Sequence, residues 1–412
     1  MRIALLSTFL IALNCFGQEP TVVFNDTVNE DNLIRINSYN AYASNRLNNA
    51  FMDKFIFGGT IDSELKDANR DRFKNRNLIG GEFEQSIESF TPSVNMFKNE
   101  LFGLKVHFSD NHYMASHISK DLFNLAMYGN GDFVGDTMSL TYSTAHYMHY
   151  QKIGFGFYNK HNFSSITLNY LAGSKAIKAQ MNESWIYTRP DVDTIDVYSS
   201  ASMFMTDRMF PYWAFQGNGF SVDINYNFIF EGKVKNRQII NFKINNLGIM
   251  FWNKNTNKYF VNTDGAYSGI DVSDLLNQDT TVYKNIEWMD TLGVTEYTDV
   301  HVEVMPFELV VQKVPDHGID QKWQAIFGFK TIMIPNYFPY LFGGVYFKAR
   351  EDFSLSSRVS YGGFAGFRWG VNFNYWIKDK AYLALGSYDM IGLISKNFGF
   401  GRSLNFSFHF KI

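Results

Sequence analysis

The chain ends in SLNFSFHFKI, Ser403 to Ile412. Ser403, Asn405, Ser407, His409 and Lys411 alternate with Leu404, Phe406, Phe408, Phe410 and Ile412. Successive side chains of a strand point to opposite faces, so one face here is wholly polar and the other wholly apolar. At the edge of a soluble sheet such a strand invites aggregation. As the closing strand of an outer-membrane barrel it has lipid on one side and a wet lumen on the other. Phe406, Phe408, Phe410 and Ile412 are then the lipid-facing row, and this terminal strand is what a barrel-assembly machinery would take up.

The same rhythm recurs upstream. Phe220, Val222, Ile224, Tyr226, Phe228 and Phe230 oppose Ser221, Asp223, Asn225 and Asn227. Ile240, Phe242 and Ile244 oppose Asn241, Lys243 and Asn245; Trp369, Val371, Phe373, Tyr375 and Ile377 oppose Arg368, Asn372 and Asn374. One such segment is a weak signal, but a series of them is the expected mark of a transmembrane barrel. Counting back from the end gives strands near 403–412, 380–391, 363–377, 353–361, 337–349, 322–334, 300–312, 237–252, 218–231, 163–181, 140–158, 112–119 and 101–109. One more comes from either 33–42 or 81–90. The fold class is therefore all-β, an antiparallel barrel of about 14 strands within roughly 12 to 16, an even number as in single-chain bacterial barrels. Compact polar turns, such as Asn159 to Asn162 and Arg350 to Asp352, fall on one side. The long connections near 182–218 and 253–299 fall on the other, which short-turn asymmetry makes extracellular.

Composition agrees. Aromatic residues make up 17% of the 412 residues, with 41 Phe and 24 Tyr, yet mean hydropathy is −0.19. Strands with one greasy and one polar face produce that mixture. Met1-Arg2 followed by the apolar run Ile3 to Leu13, with Gly17 before Gln18, reads as a cleaved export signal over 1–17. The apolar run is shorter than the roughly 20 residues a spanning helix needs. Cys15, the single cysteine, would leave with it, so neither a disulfide nor a thiolate chemistry is expected. A net charge of −3 supplies no general field for nucleic acid.

The chain thus divides into 1–17, an N-terminal segment 18–100 and a barrel 101–412. Within the N-terminal segment, Leu47, Ala50, Phe51, Lys54 and Phe55 are at helical spacing and Glu64 to Arg76 is densely charged. That stretch reads as a plug in the barrel or a cap at one end, with the first strand beside it. Lys120 to Gly129 reads as a short amphipathic helix.

Ser119 to Ile177, Gly219 to Phe230 and Ile244 to Phe260 resemble a Bacteroidota family of outer-membrane barrels of unknown function. The marks are the KDLF helix before a Gly-Asn loop, and the hairpin carrying Leu247, Gly248 and Trp252. The resemblance runs from about Phe102 to the C-terminus. It implies a distant likeness to fatty-acid channels, with an N-terminal hatch, and to barrels associated with type IX secretion. It brings no catalytic residues.

Several constellations have two readings. Of nine histidines, six lie between His107 and His161: His107, His112, His117, His146, His149 and His161. A metal or relay site needs convergent ligands, and no pair has the helical spacing of zinc proteases, so interfacial or loop histidines are the expectation. Asp191, Asp193 and Asp196, and likewise Asp264, Asp271 and Asp274, read as solvated acidic loops rather than calcium loops, because the required glycine and terminal glutamate are missing. Asp223, Lys243, Arg358, Arg368 and Asn372 are the lumen-lining candidates. They form either a paired interior network or a constriction that selects solutes by charge. Tyr337, Tyr340, Trp369, Tyr375 and Trp376, with Phe210, Tyr212 and Trp213, are expected in interfacial girdles. Ser407 and His409 share a face, but no G-x-S-x-G elbow accompanies them, and no enzyme is expected.

No cofactor or metal is expected. The partners are outer-membrane lipid, the assembly machinery and, in one reading, a secretion or envelope protein. Two functions stay open: a channel or transporter for small amphipathic or hydrophobic solutes, and a non-enzymatic scaffold. Lumen occupancy separates them, since a wet path favours the channel and a lumen filled by paired side chains favours the scaffold.

Overall fold

The computed structural model describes residues 31–74, 77–92, 101–191, 194–207, 214–231, 237–267, 293–334, 337–378 and 380–412. The export signal over 1–17, Asp193, Asp271, Asp274 and the Phe210–Tyr212–Trp213 group lie outside the described residues.

Chain order is β1 (Leu33–Ser44), α1 (Asn49–Phe57), α2 (Ser63–Arg70), β2 (Asn77–Thr91), β3 (Phe102–Ile118), α3 (Lys120–Tyr128), β4 (Thr137–Ser139), β5 (Thr144–Asn159), β6 (Ser165–Thr188) and β7 (Ile195–Met205). It continues with β8 (Gly217–Glu231), β9 (Arg237–Trp252), β10 (Asn257–Tyr267), β11 (Val294–Thr298), β12 (His301–Val304), β13 (Glu308–Val314), β14 (Trp323–Ile332) and β15 (Phe338–Arg350). The last elements are β16 (Phe353–Gly363), β17 (Arg368–Ile377), β18 (Ala381–Ser387), α4 (Met390–Ile394) and β19 (Gly401–Lys411).

These strands close into a 14-strand antiparallel barrel. β12 and β13 together make one stave against β9, and β19 closes the ring on β1 from Leu33↔Lys411 to Ala43↔Gly401. Closure removes the exposed edge that the terminal strand would otherwise present. Along β19 the alternation resolves as expected. Asn405 and Ser407 are fully buried toward the lumen, whereas Phe406 is 36% exposed on the outside and Ile412, at the rim, 68%.

The N-terminal third differs from the sequence reading. Both 33–44 and 77–91 are barrel staves, not one of the two, and the barrel therefore begins at Leu33 rather than near residue 101. The two short strands expected at 101–109 and 112–119 are the single strand β3. Ser109-Asp110-Asn111 resembles a turn in composition. In the fold, Ser109 and Asn111 face the lumen and Asn111 Nδ2 donates to Ser109 Oγ at 2.8 Å, which satisfies them inside a continuous strand. One stave gained and one lost leave the total at 14.

The long connections also hold more order than expected. β6 continues past the barrel, and β7 pairs with both β6 and β10, with β11 beyond. This second sheet projects from the end that carries the long connections.

α1, α2 and α3 pack outside the wall at that same end. Their cluster is built on Tyr42, Ile79 and Met114, which share parity with outward Ile36, Ile87 and Phe108 on β1, β2 and β3. Phe73 and Phe123 stack at 4.1 Å between ring centroids within it. Each helix has a side-chain N-cap: Asn48 to Phe51 N, Asp62 to Leu65 N and Ser119 to Leu122 N. Residues 43–80 thus include a helical collar rather than a plug in the lumen. Asn49 ties it to the α4 loop, donating to Gly392 O at 3.0 Å and Gly401 O at 2.8 Å.

Candidate functional site

The lumen is lined by residues of one parity on every stave, and its two sectors differ in chemistry. In the sector from β16 through β19 to β1, below Arg358 and Arg368, serines and asparagines of the lining are zipped together. Asn405 Nδ2 donates to Asn372 Oδ1 at 2.7 Å, Asn374 Nδ2 to Ser354 Oγ at 3.1 Å, and Ser407 Oγ to Asn37 Oδ1 at 2.5 Å. Because the Ser407 hydroxyl proton goes to Asn37, its 2.7 Å bond with His409 Nε2 has the imidazole as donor. That polarity is the reverse of a nucleophile and its base.

The other sector carries charge. Glu88 accepts from Lys105 at 2.6 Å, with His107 at 3.4 Å and Arg35 at 4.0 Å. Lys152 binds Asp223 at 2.9 Å and Asn246 Oδ1 at 3.0 Å. Asn246 has a left-handed φ of 59° and forms the bulge in β9 opposite Asp223, whose Oδ1 accepts from the Asn246 amide at 2.7 Å. Lys178 reaches Glu303 at 2.8 Å, and His146 stands 3.3 Å from the same oxygen.

One bridge crosses the barrel. Lys330 on β14 binds Glu308 on neighbouring β13 and Glu82 on β2 at 2.8 Å, with the Tyr39 hydroxyl of β1 at 3.1 Å. β2 and β14 are seven staves apart in either direction around the fourteen, so this strut joins opposite walls. Removing one member of such a buried set leaves a charge without compensation in low dielectric.

Both ends of the lumen are lined with apolar clusters. At the end that carries the long connections Phe364 and Ala365, from the β16–β17 connection, fold inward onto Ala43, Leu78, Tyr113 and Ile332. Gly80 is required there, since a Cβ would sit 2.2 Å from the Phe364 ring. At the other end Leu33, Phe90 and Tyr158 pack together, with the Arg35 guanidinium 4.5 Å over Phe90. The 315–322 connection folds under the barrel, where His317 stacks on Trp376 at 3.6 Å, donates from Nε2 to Glu351 O at 2.8 Å and accepts at Nδ1 from Tyr346 Oη, 2.6 Å away. Burial pushes the His317 imidazole below its usual range, so it is held neutral.

Beneath Phe364 lie Arg358 and Arg368, 7% and 6% exposed. Both guanidinia approach the Tyr340 ring, at 5.8 Å and 4.7 Å, and Arg358 also lies 3.1 Å over Tyr388. Arg358 donates to Tyr340 Oη at 3.2 Å and Arg368 to Gly362 O at 3.1 Å. Asp389, which caps α4 in the β18–β19 connection, is raised to about 6 because burial outweighs the attraction of Arg368. The pocket thus holds two arginines and one buried carboxyl beneath an apolar lid.

All five lumen candidates are on the inner wall. Asp223 joins the Lys152 pair, Asn372 the uncharged zipper, and Arg358 and Arg368 the cationic pocket. Lys243 sits at inward parity on β9, opposite Val310. The aromatic candidates divide. Trp369 and Tyr375 are 38% and 41% exposed on the outer face, but Tyr340 and Trp376 are 2% and 9% exposed and point inward, and Tyr337 packs on Phe364. Clustering by composition placed these three in a girdle; the parity of Tyr340 with Tyr346, and of Trp376 with Asn374, puts two of them in the lumen. Glu82, Lys330 and Glu308 were not singled out in the sequence, because their partnership spans residues far apart in the chain.

The fold and this filled lumen define a membrane-spanning barrel of the outer-membrane type. No family model and no curated protein matches the chain. Among solved structures it is similar to a TodX deltaS2S3 mutant monoaromatic hydrocarbon channel (TM-score 0.41, 8% identity, covering 93% of this chain and 90% of that one). It is also similar to the P. putida toluene transporter TodX (0.32, 8%, 92% and 88%) and to a Pseudomonas aeruginosa FadL homologue (0.35, 8%, 92% and 90%). At these values the functional reading rests on the chain's own geometry.

Proposed function

We propose that this chain is an outer-membrane channel, shut in the conformation described, for small amphipathic solutes with an anionic or strongly polar head. The observation that carries this is the Arg358–Arg368 pair under the Phe364 lid. An apolar cover over a cationic pocket matches the two ends of an amphipath, and buried arginines favour planar carboxylate recognition. The Lys330 strut below is the barrier that must part. The exported chain would reach the outer membrane by way of its signal, be inserted through its Phe406–Phe408–Phe410–Ile412 strand, and stand with its outer face in lipid. Its distant kinship would be with fatty-acid channels.

Liposome swelling with a medium-chain carboxylate tests the reading. Wild-type barrels should admit it, Phe364→Ala barrels faster, and Arg358→Gln/Arg368→Gln barrels at a rate no better than an uncharged sugar of similar size. Equal rates for carboxylate and sugar in all three would end the proposal.

A second reading is favoured by the wall-to-wall strut and the projecting β6–β7–β10–β11 sheet: a scaffold whose surface docks a secretion or envelope protein. Gentle-detergent isolation would then recover a stoichiometric partner, lost when 257–298 is shortened to a turn, while liposomes stay sealed.

A further inference from the structure

We propose that Asp110, His112 and His149 form a binding site for one divalent transition-metal ion of the zinc class on the outer wall of the barrel. These residues face away from the lumen. Asp110 and His112 continue the outward row of Phe108 on β3, and His149 continues that of Phe155 and Ile153 on β5, with no register shift between the two strands. Immediately beyond them, at Met114, the helical collar begins. The cluster therefore sits between the lipid-facing aromatic rows and the collar, at the extracellular border of the membrane band.

The donor set suits such an ion. One ligand atom from each residue lies within 4.8 Å of the others. Tetrahedral zinc with bonds of about 2.0–2.1 Å holds its ligand atoms roughly 3.3 Å apart. His149 Nε2 to Asp110 Oδ1 is 2.8 Å and His112 Nε2 to Asp110 Oδ2 is 3.6 Å, which bracket that spacing. The imidazoles are stacked, 4.0 Å between centroids at 4°, with both Nε2 atoms beside Asp110, and taking a shared ion requires the rings to turn out of that stack so that their lone pairs converge. Two imidazoles and one carboxylate with a position left open to solvent are a common zinc or iron set.

The surrounding groups orient the ligands. His112 Nδ1 is 3.0 Å from Tyr147 Oη, which can take the ring N–H there when Nε2 gives its lone pair to an ion. Gln151 Nε2 donates to Asp110 Oδ1 at 2.7 Å, and Gln151 Oε1 accepts from Ser174 Oγ at 2.9 Å, so the amide cannot be reversed without setting two oxygens against each other. That places Gln151 Nε2 2.9 Å from His149 Nε2 as well. One ring nitrogen cannot both accept from Gln151 and donate to Asp110. A cation that takes the lone pairs of His149 and Asp110 removes the conflict. Access is graded: the Asp110 side chain is 37% exposed and His112 24%, while His149, at 1%, forms the floor.

The test is metal titration of the full chain purified in detergent. Zn2+ binding by calorimetry should show one equivalent per chain. His112→Ala, His149→Ala and Asp110→Asn should each weaken it by well over tenfold, and Tyr147→Phe by about tenfold, as expected for a group that orients a ligand. His161→Ala, in the opposite turn, should leave it unchanged. Co2+ added to wild-type protein should give the intense visible bands of a tetrahedral site, a readout that needs no variant to fold. Affinity for Zn2+ equal in wild type and the Asp110→Asn/His112→Ala double variant, or a Co2+ spectrum of plain octahedral aquo character, would overturn the assignment.

Discussion

The two sectors of the lumen are built from the same alternating strands yet hold the molecule in different ways. From β16 to β1, below the Arg358–Arg368 pocket, serines and asparagines bond along the wall, Asn374 to Ser354 on the next stave and Asn372 past Gly386 to Asn405 two staves on. Around β2 to β14 the lining is charged, and its longest bonds span further, three staves from Lys178 to Glu303 and seven from Lys330 to Glu82. Short uncharged side chains reach one or two staves along the wall, so they stabilise it. Long charged ones reach across, so they determine whether the lumen is open. A polar interior is therefore not one property: reach, as much as polarity, decides its role.

The sharpest way to break this contrast is Lys330→Met. It leaves Glu82 and Glu308 buried beside each other, and the cost should be about 3–5 kcal/mol, the range for an uncompensated buried charge. Adding Glu82→Gln and Glu308→Gln should return most of that stability while leaving the strut absent. The triple variant should then conduct in planar bilayers without added carboxylate, where wild type opens only when that solute is present. A triple variant as tight as wild type would show that the strut is not the barrier.

The second effect concerns the apolar lid. Gly80→Ala brings a Cβ to 2.2 Å from the Phe364 ring. Displacing the lid should cost about 1–3 kcal/mol, as overpacking does. Phe364→Ala in the same chain should relieve it, and a thermal melt of the four-member cycle measures the coupling.

Asp389 gives a comparable effect with a sign set by protons. Its folded value, about 6, stands above the ordinary 3.8. The folded state thus holds the proton more tightly, and the associated stability is fully present below about pH 4 and lost as pH rises through about 6. The span is about 3 kcal/mol at most by linkage. Melting temperatures from pH 4 to pH 7 should fall in wild type more than in Asp389→Asn; parallel curves would refute the assignment.

The smallest effect belongs to the zipper. Asn372→Ala should cost about 1 kcal/mol for its bond to Asn405, with conductance unchanged. An Asn372→Ala barrel that opened would erase the distinction between the sectors.

The staves of the C-terminal half were legible because each obeys period-two alternation, from Phe353 to Ile377 and again from Leu404 to Ile412. β2 and β3 were harder. Their lumen faces carry Glu82, Glu84 and Glu88, or Ser109 and Asn111, and such residues look like loop when their partners on other staves are out of view. The outward Asp110, His112 and His149 were harder still, since a metal-type cluster on two strands has no fixed spacing along the chain.

Alternation and turn lengths determined by themselves that this protein is a barrel of about fourteen staves with its greasy side outward, because side-chain period is a local property of the backbone. Only the closed cylinder decided that Lys330 meets Glu82, that Tyr340 and Trp376 turn inward, and that the helices of residues 49–70 sit outside the wall. Those facts depend on which strands face one another across the lumen, and that relation exists only once the ring has closed.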